Sequence, residues 1–355
     1  MIYSWPTRLA AALIAATLTG VSTAEPVASL ADNSDCLDVE SYLFRPAGDS
    51  LGTRTRNWLR RKFVCEDDLA CYGIQLDECW LAAEPDKPVV LVVHGYNSTP
   101  ARNEPLAEAI RGAGFPCGHF AYPNDYTIPA STQLLSAALR HFASEHPRRR
   151  VVLVCHSMGG IVARACVEDA LYDPGNVDKL ILIAPPTRGT AVAHFAIATD
   201  VWEHWLARRE GNPWERFHDS VVDGLGEAAC ELCPDSPLLR ELNGRPRNPR
   251  IAYSVILGTG ACLTDGELAW VRDSIVRRLA RWPGIASSAT RLHTLLGDLD
   301  ELVEGRGDGV VAVDRGRLRG VGDTLVLPFG HLAVTGEPTS DVVRQVQQAV
   351  IQRLN

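Results

Sequence analysis

One serine of this sequence lies where a nucleophile could be exposed. Ser157 follows the apolar run 151–155 and precedes Gly159 and Gly160, which open a stretch of helical composition. A sharp turn from strand to helix lifts a hydroxyl above a sheet and directs the helix N-terminus at it. Cys155 replaces the first glycine of the G-x-S-x-G pattern, but cysteine is small enough for the turn to form. We therefore interpret Ser157 as a candidate nucleophile.

A serine hydroxyl is a weak nucleophile near neutral pH, so it requires a base and an oriented acid. Downstream of Ser157, the segment GRGDGVVAV contains Asp308, and the apolar run 324–329 leads to His331. In this order, Asp308 would accept the ring N–H of His331, which would take the proton of Ser157. Asp308 heads a glycine-flanked turn, which favours it over four neighbouring carboxylates, Asp298, Asp300, Asp314 and Asp323.

Attack of such a serine on a carbonyl carbon also requires donors for the negative charge of a tetrahedral intermediate. Met158 follows the nucleophile and offers its backbone N–H at a helix N-terminus. The segment His94-Gly95-Tyr96-Asn97 follows the first buried strand, and the backbone N–H of Tyr96 is the candidate second donor. The hydroxyl of Tyr96 or the side chain of Asn97 would alternatively contact substrate.

Two other histidines and a cysteine pair lie in or near these motifs. His94 and His156 more often pack or hydrogen-bond near such a site than act as its base. Cys230 and Cys233 form a single C-x-x-C pair without a second pair or a histidine pair. A metal or redox centre is therefore disfavoured, and we expect no cofactor.

The elements around these residues alternate between strands and helices. Continuous apolar, β-branched runs are typical of strands buried on both faces of a parallel sheet. Repeated strand–helix–strand units predict an α/β class protein with a doubly wound, mostly parallel sheet. The predicted strands are 89–93, 119–122, 151–155, 179–184, 251–257 and 324–327, and the predicted helices are 104–112, 130–145, 160–170 and 341–353.

Two long insertions interrupt this alternation, at about 191–243 and 262–305. Both contain tryptophans within helical patterns, and ligands bind outside the carboxyl ends of the strands in such sheets. The insertions are therefore interpreted as helical caps over the site, with simple coverage of the sheet as the alternative.

Several motifs together resemble a known family. The segments HGYNSTP, CHSMGGIVAR, LIAPPTRGT and DGVVAVDRGRLRGVGDTLVLPFGHLAV are similar, in this order, to those of bacterial α/β-hydrolase lipases and esterases. The resemblance covers residues 89–355. It implies the α/β-hydrolase fold, a triad of Ser157, Asp308 and His331, and oxyanion donors at Tyr96 and Met158. The long segment 262–305 departs from the family pattern and leaves the substrate open.

The N-terminal residues predict export. Residues 1–24 contain one charged residue, Arg8, before an apolar run and a small-x-small cleavage site, the pattern of a signal peptide. An uncleaved membrane anchor is the alternative. We expect a secreted or periplasmic protein with a Cys-rich extension at 25–84 and a catalytic domain at 85–355. Of ten cysteines, several could form disulfides, whereas Cys155 and Cys166 favour buried free thiols.

Charge and composition limit the partners. The chain has a net charge of −8 and no basic block, which argues against nucleic acid and anionic membranes as partners. The motifs predict carboxylic-ester hydrolysis on a small-molecule or lipid ester, with transient contact to a lipid interface. Acyl transfer or thioester cleavage by the same triad, or a binding protein that lost the chemistry, are the alternatives. The sequence gives no indication of oligomeric state.

Overall fold

The structure is a computed structural model that describes only part of the chain. The described residues are 72–76, 80, 83–84, 87–96, 98–123, 126–193, 231–261, 263–269, 299–335 and 340–355. The predicted signal peptide, most of the Cys-rich extension and much of both predicted caps lie outside them. Within these ranges, no helix combines the length and the apolar character that crossing a bilayer requires.

The described elements are organised around one mostly parallel sheet. Its strand order is β1-β3-β2-β4-β5-β6-β7, in which only the β1–β3 pair is antiparallel. The strands are β1 (Gly73–Gln75), β2 (Val89–Val93), β3 (Cys117–Ala121), β4 (Val151–His156), β5 (Val177–Ile183), β6 (Ala252–Gly258) and β7 (Thr324–Leu327).

Alternate side chains of the central strands enter two separate cores. In β2, Leu91 packs in the core on one face and Val92 in the core on the other. Because neighbouring side chains point to opposite faces of a strand, burial on both faces requires an unbroken apolar run. This requirement explains the VVLVV and VVLVC segments at the centre of the sheet.

Helices cover both faces. Helices α2 and α3 pack in the first core and α1 and α6 in the second. Thr127 begins α2, where its hydroxyl accepts a hydrogen bond from the backbone N–H of Ala130 at 3.3 Å. The helices are α1 (Glu104–Gly112), α2 (Ile128–Glu145), α3 (Met158–Val167), α4 (Pro237–Gly244), the short α5 (Val313–Gly316) and α6 (Asp341–Leu354).

The predicted α/β class with a doubly wound, mostly parallel sheet is confirmed. The sequence did not predict β1, which lies within the stretch assigned to the extension and pairs with the edge of the sheet at β3. Three residues are too few for a recognisable apolar alternation, so this strand is recognisable only from its pairing. The sheet therefore extends beyond the boundary expected at residue 85.

Candidate active site

Ser157 is the single residue between β4 and α3, and its backbone is strained. Its φ of 52° and ψ of −126° lie in a region that residues other than glycine rarely adopt. Its N–H donates to the carbonyl of Ile183 on β5 at 2.9 Å, so the turn is fixed to the neighbouring strand. This is the nucleophile-elbow geometry expected from the sequence.

The glycines after Ser157 allow α3 to pack closely on the sheet. A Cβ on Gly159 would lie 2.4 Å from the carbonyl oxygen of His94, and one on Gly160 would lie 2.9 Å from a methyl of Leu182. Cys155 is fully buried in the core. A Cβ added to Gly160 would lie 3.9 Å from the Cβ of Cys155, an ordinary contact distance. The departure from the glycine pattern at Cys155 is therefore accommodated by space beside the turn.

The structure brings the three predicted triad residues together. The Nε2 atom of His331 lies 2.9 Å from the Oγ atom of Ser157, and its Nδ1 atom lies 2.8 Å from Oδ2 of Asp308. All three residues are buried. This is the arrangement in which an imidazole accepts a hydroxyl proton while a carboxylate fixes its tautomer.

Two glycines at the carboxyl end of β6 make room for the acid and the base. A Cβ on Gly258 would lie 2.7 Å from the Cβ of Asp308, and one on Gly260 would lie 2.6 Å from the carbonyl carbon of Phe329. The backbone N–H of His331 donates to the carbonyl of Asp308 at 2.8 Å. The two loops are thus joined directly as well as through their side chains.

The carboxylate of Asp308 is held by its own turn. Its Oδ1 atom accepts hydrogen bonds from the backbone N–H groups of Val310 at 2.9 Å and Val311 at 2.7 Å. Oδ2 is thereby left for His331. Three of the rival carboxylates form ion pairs elsewhere, Asp300 with Arg306, Asp314 with Arg317 and Asp323 with Arg353. Asp298 lies outside the described residues.

A buried carboxylate that the sequence did not single out supports the Asp308 turn. Glu301 is fully buried, and its backbone carbonyl accepts the N–H of Gly309 at 2.7 Å. Its Oε1 atom accepts the N–H groups of Ala191 at 2.6 Å and Val192 at 3.1 Å. Burial raises the pKa of its carboxyl. Glu301 therefore connects the acid turn to the start of the first insertion, a contact over more than a hundred residues that no local motif signals.

His156 lies beside His331. Its Nε2–H donates to the backbone carbonyl of His331 at 3.0 Å, and the two rings are 4.8 Å apart. Burial lowers the pKa of His156 to about 3, so the ring is neutral at physiological pH. The expectation that His156 hydrogen-bonds near the site is confirmed.

His94 lies behind the loop that carries the predicted oxyanion donor. Its Nδ1–H donates to the carbonyl of Gly95 at 2.9 Å, and its ring stacks on Tyr122 with centroids 4.2 Å apart. Burial lowers the pKa of His94 to about 4, so it is neutral. Because C=O and N–H point in opposite directions across a trans peptide, this bond also orients the N–H of Tyr96.

The two predicted oxyanion donors belong to segments that adjoin Ser157. Met158 is the first residue of α3, so its N–H has no acceptor within the helix. A Cβ on Gly95 would lie 2.9 Å from the Cβ of Ser157, which places the loop before Tyr96 against the nucleophile. The side chain of Tyr96 packs against the core, and Asn97 lies outside the described residues.

The described part of the chain offers no site for a metal ion. Within these ranges, no group of three or more His, Cys, Asp or Glu side chains is arranged to hold one. Cys155 and Cys166 are buried free thiols, as expected, and burial raises the pKa of both, that of Cys166 to about 12. Six other cysteines, Cys36, Cys65, Cys71, Cys79, Cys230 and Cys262, lie outside the described residues.

Comparisons with known proteins agree with this fold. A profile described as the PGAP1-like alpha/beta domain matches residues 126–218, which include Ser157. The mature form of lipase BlEst2 from Bacillus licheniformis superposes with a TM-score of 0.51 at 16% identity, covering 76% of this chain and 94% of that one. The chain has the α/β-hydrolase fold. The fold that the motif resemblance implied is thus confirmed.

A second solved structure supports the same fold. Phospholipase PlaB from Legionella pneumophila superposes on this α/β-hydrolase with a TM-score of 0.50 at 14% identity, covering 76% of this chain and 60% of PlaB. No curated protein sequence matches the chain. At these identities the likeness shows the fold alone.

Proposed function

We propose that this α/β-hydrolase is a serine carboxylic-ester hydrolase that acts through an acyl-enzyme on Ser157. The observation that carries the proposal is the 2.9 Å contact between Nε2 of His331 and Oγ of Ser157, continued at 2.8 Å from Nδ1 to Asp308. Oδ1 of Asp308 accepts hydrogen bonds from two backbone N–H groups, which leaves Oδ2 of Asp308 for the imidazole of His331.

In the first half-reaction, His331 takes the hydroxyl proton while Oγ of Ser157 forms a bond to the ester carbonyl carbon. The negative charge moves to the carbonyl oxygen, where the N–H groups of Met158 and Tyr96 would stabilise it. Each such donor contributes roughly 3–4 kcal/mol to catalysis. The C–O bond to the alcohol then breaks, and the imidazolium returns its proton to the leaving oxygen. Asp308 stabilises the positive charge of His331 throughout.

In the second half-reaction, water replaces the alcohol. His331 takes a proton from the water as its oxygen bonds to the acyl carbon, and the ester bond to Ser157 then breaks. The carboxylic acid leaves, and the proton returns to the serine oxygen. No cofactor takes part in either half-reaction as we propose it.

For the substrate, we propose small-molecule or lipid esters, with transient contact to a lipid interface. The names of BlEst2, a lipase, and PlaB, a phospholipase, are consistent with this class. The fold hosts many chemistries, so the class of ester rests on analogy. We further propose that the protein is exported, because residues 1–24 have the pattern of a signal peptide.

The same triad supports acyl transfer or thioester cleavage, in which an acceptor other than water resolves the acyl-enzyme. A non-catalytic binding protein of this fold would have no need for the strained backbone at Ser157, with its φ of 52°. Such strain persists where the surrounding structure enforces it, and it concentrates at active sites. We therefore favour hydrolysis over a binding role.

A panel of p-nitrophenyl esters from acetate to palmitate, with and without detergent micelles, tests the proposal. We expect turnover by the full chain and its loss in Ser157→Ala, with Ser144→Ala as the matched control, because Ser144 lies on the exposed end of α2. A preference for long chains at micelles would indicate a lipase. A product formed with an added alcohol would indicate acyl transfer. The absence of turnover on every ester by the folded protein would contradict the proposal.

A further inference from the structure

A second concave surface of the molecule is lined by arginines. This arginine groove has a volume of about 820 Å³ and is lined by Arg188, Arg245, Arg247, Arg317 and Arg319, with Asn243 among them. Among the described residues, neither an acidic residue nor a residue of the predicted triad lines it. Five guanidinium groups at one groove contrast with the net charge of −8 of the whole chain. The groove is therefore a local positive site on an acidic protein.

Three separate segments build the groove and are bonded to one another. The hydroxyl of Thr187, in the loop after β5, donates to the carbonyl of Gly316 at 3.1 Å. The Nδ2–H of Asn243, near the end of α4, donates to the carbonyl of Thr187 at 2.8 Å. The backbone N–H of Arg188 donates to the carbonyl of Arg315 at 2.9 Å. The walls are thus fixed relative to each other.

Two of the five arginines have their charge balanced by carboxylates that do not line the groove. Arg245 forms ion pairs with Asp169 at 3.2 Å and Glu241 at 2.8 Å. Arg247 forms an ion pair at 2.8 Å with Glu168, whose side chain is fully buried. These two arginines are structural, and we do not assign ligand binding to them.

Among the described residues, the other three arginines have a single weak carboxylate contact between them, from Asp314 to Arg317. Arg188 donates to the backbone carbonyl of Asp314, and a carbonyl group carries no net charge. Arg317 has only a 3.7 Å contact with the carboxylate of Asp314, which is 89% exposed. Arg319 is exposed and makes no ion pair with any residue in the described ranges. Arg188 and Arg317 thus share Asp314 as a neighbour, Arg188 through its backbone carbonyl and Arg317 through its carboxylate.

We propose that the arginine groove binds a phosphate-bearing ligand through Arg188, Arg317 and Arg319. Guanidinium groups recognise phosphate with pairs of parallel N–H···O bonds, which gives both strength and geometry. The volume is in the range of small-ligand sites, about 300–1,000 Å³. Phosphate would supply negative charge to these three arginines, whereas Arg245 and Arg247 line the groove in ion pairs with carboxylates. The site is separate from the triad and does not depend on the proposed ester hydrolysis.

Pyrophosphate, which has the required charge in a small size, is the first probe. Titration calorimetry on the full chain at low ionic strength is expected to detect binding. The double variant R317Q/R319Q should weaken that binding by about tenfold or more, because it removes charge-assisted hydrogen bonds. The matched control R102Q/R148Q removes two exposed arginines that do not line the groove, changes the net charge equally and should leave the affinity unchanged.

A second arm identifies the source of the phosphate. Sedimentation with phosphatidylcholine vesicles, with and without phosphatidylglycerol, tests whether the groove takes a lipid headgroup. Loss of vesicle binding in R317Q/R319Q but not in R102Q/R148Q would assign the groove to a lipid surface, and binding of pyrophosphate alone would assign it to a soluble ligand. Equal affinities in the two double variants, or no binding of either probe by the folded protein, would overturn the proposal.

Discussion

His156 donates its Nε2 hydrogen to the backbone carbonyl of His331 at 3.0 Å, so the residue before Ser157 supports the loop that carries His331. This bond joins the end of β4 to the segment after β7, which are 175 positions apart in the sequence. The triad is thus connected through its backbone as well as through its side chains. His331 and Asp308 form a second such connection, from N–H to carbonyl at 2.8 Å.

Replacing His156 by phenylalanine should test this support. His156→Phe keeps a ring but removes the donor, which leaves the carbonyl of His331 buried without its partner. We expect the free energy of unfolding at pH 7 to fall by about 1–2 kcal/mol. We also expect kcat on a p-nitrophenyl ester to fall while KM changes little, because His331 loses its alignment whereas the substrate pocket is unchanged. Urea unfolding and steady-state kinetics measure the two effects.

The same variant has a pH signature. The folded-state pKa of His156 is lowered to about 3, below 6.5 in the unfolded chain, so the unfolded state binds the extra proton first as pH falls. Stability is therefore lost as pH falls below 6.5, by about 2 kcal/mol between pH 7 and pH 5 from this residue alone. The free energy of unfolding of His156→Phe should therefore fall by about 2 kcal/mol less between pH 7 and pH 5 than that of the wild type. An identical pH dependence of unfolding in the two proteins would contradict the buried, neutral state of His156.

Asp308→Asn should preserve the fold and remove most activity. The asparagine carbonyl can still accept from Val310 and Val311, but its amide group cannot accept the ring N–H of His331. We expect kcat to fall by about 10⁴-fold, the size of effect that follows when the imidazole is left in the wrong tautomer. Asp314→Asn, at an exposed rival carboxylate, is the control and should retain activity. Equal activity in both variants would show that Asp308 is not the acid.

Glu301 should be needed for the acid turn. Glu301→Ala removes the acceptor of the N–H groups of Ala191 and Val192, and we expect the free energy of unfolding to fall by about 3 kcal/mol, together with a loss of kcat. Glu301→Gln keeps a carbonyl acceptor without the charge, so it should lose much less. Thermal unfolding and ester turnover of the two variants distinguish them. If glutamine were as harmful as alanine, the charge rather than the acceptor would matter.

The close packing of α3 on the sheet gives a matched pair of glycine substitutions. A Cβ on Gly159 would lie 2.4 Å from the carbonyl oxygen of His94 and 2.8 Å from that of Val93, whereas one on Gly112 meets nothing within 4 Å. Gly159→Ala should destabilise the protein by about 2 kcal/mol or more and impair activity. Gly112→Ala, at the last residue of α1, should be neutral or stabilise by up to about 1 kcal/mol. Chemical denaturation would measure the free energy of unfolding of both variants.

Local pattern was enough to predict the central sheet and its helices. The bounds of β2, β7 and α1 are those that the sequence indicated, because apolar runs and a terminal glycine mark them clearly. Other bounds differ by a few residues. Helix α2 begins at Ile128 rather than at 130, where Thr127 provides the cap and a proline occupies the first turn. Helix α3 begins directly after Ser157, since the elbow leaves no residue between them.

The parts that could not be predicted depend on contacts between distant segments. Strand β1 exists through its pairing with β3, and Glu301 acts through N–H groups more than a hundred residues away. His94 was expected near the site, but only the structure reveals its hydrogen bond to the carbonyl of Gly95. The arginines of the groove come from three segments of the sequence, so only the fold brings them together.

The central claim is that Ser157 carries the acyl group, and covalent labelling tests it most directly. The full chain would be treated with a fluorophosphonate probe, which reacts with activated serine hydroxyls, and the adduct located by peptide mass spectrometry. We predict one adduct, on Ser157, that is absent from folded Ser157→Ala and forms slowly in Asp308→Asn. A folded wild-type protein without an adduct, or an adduct that persists in Ser157→Ala, would contradict the claim.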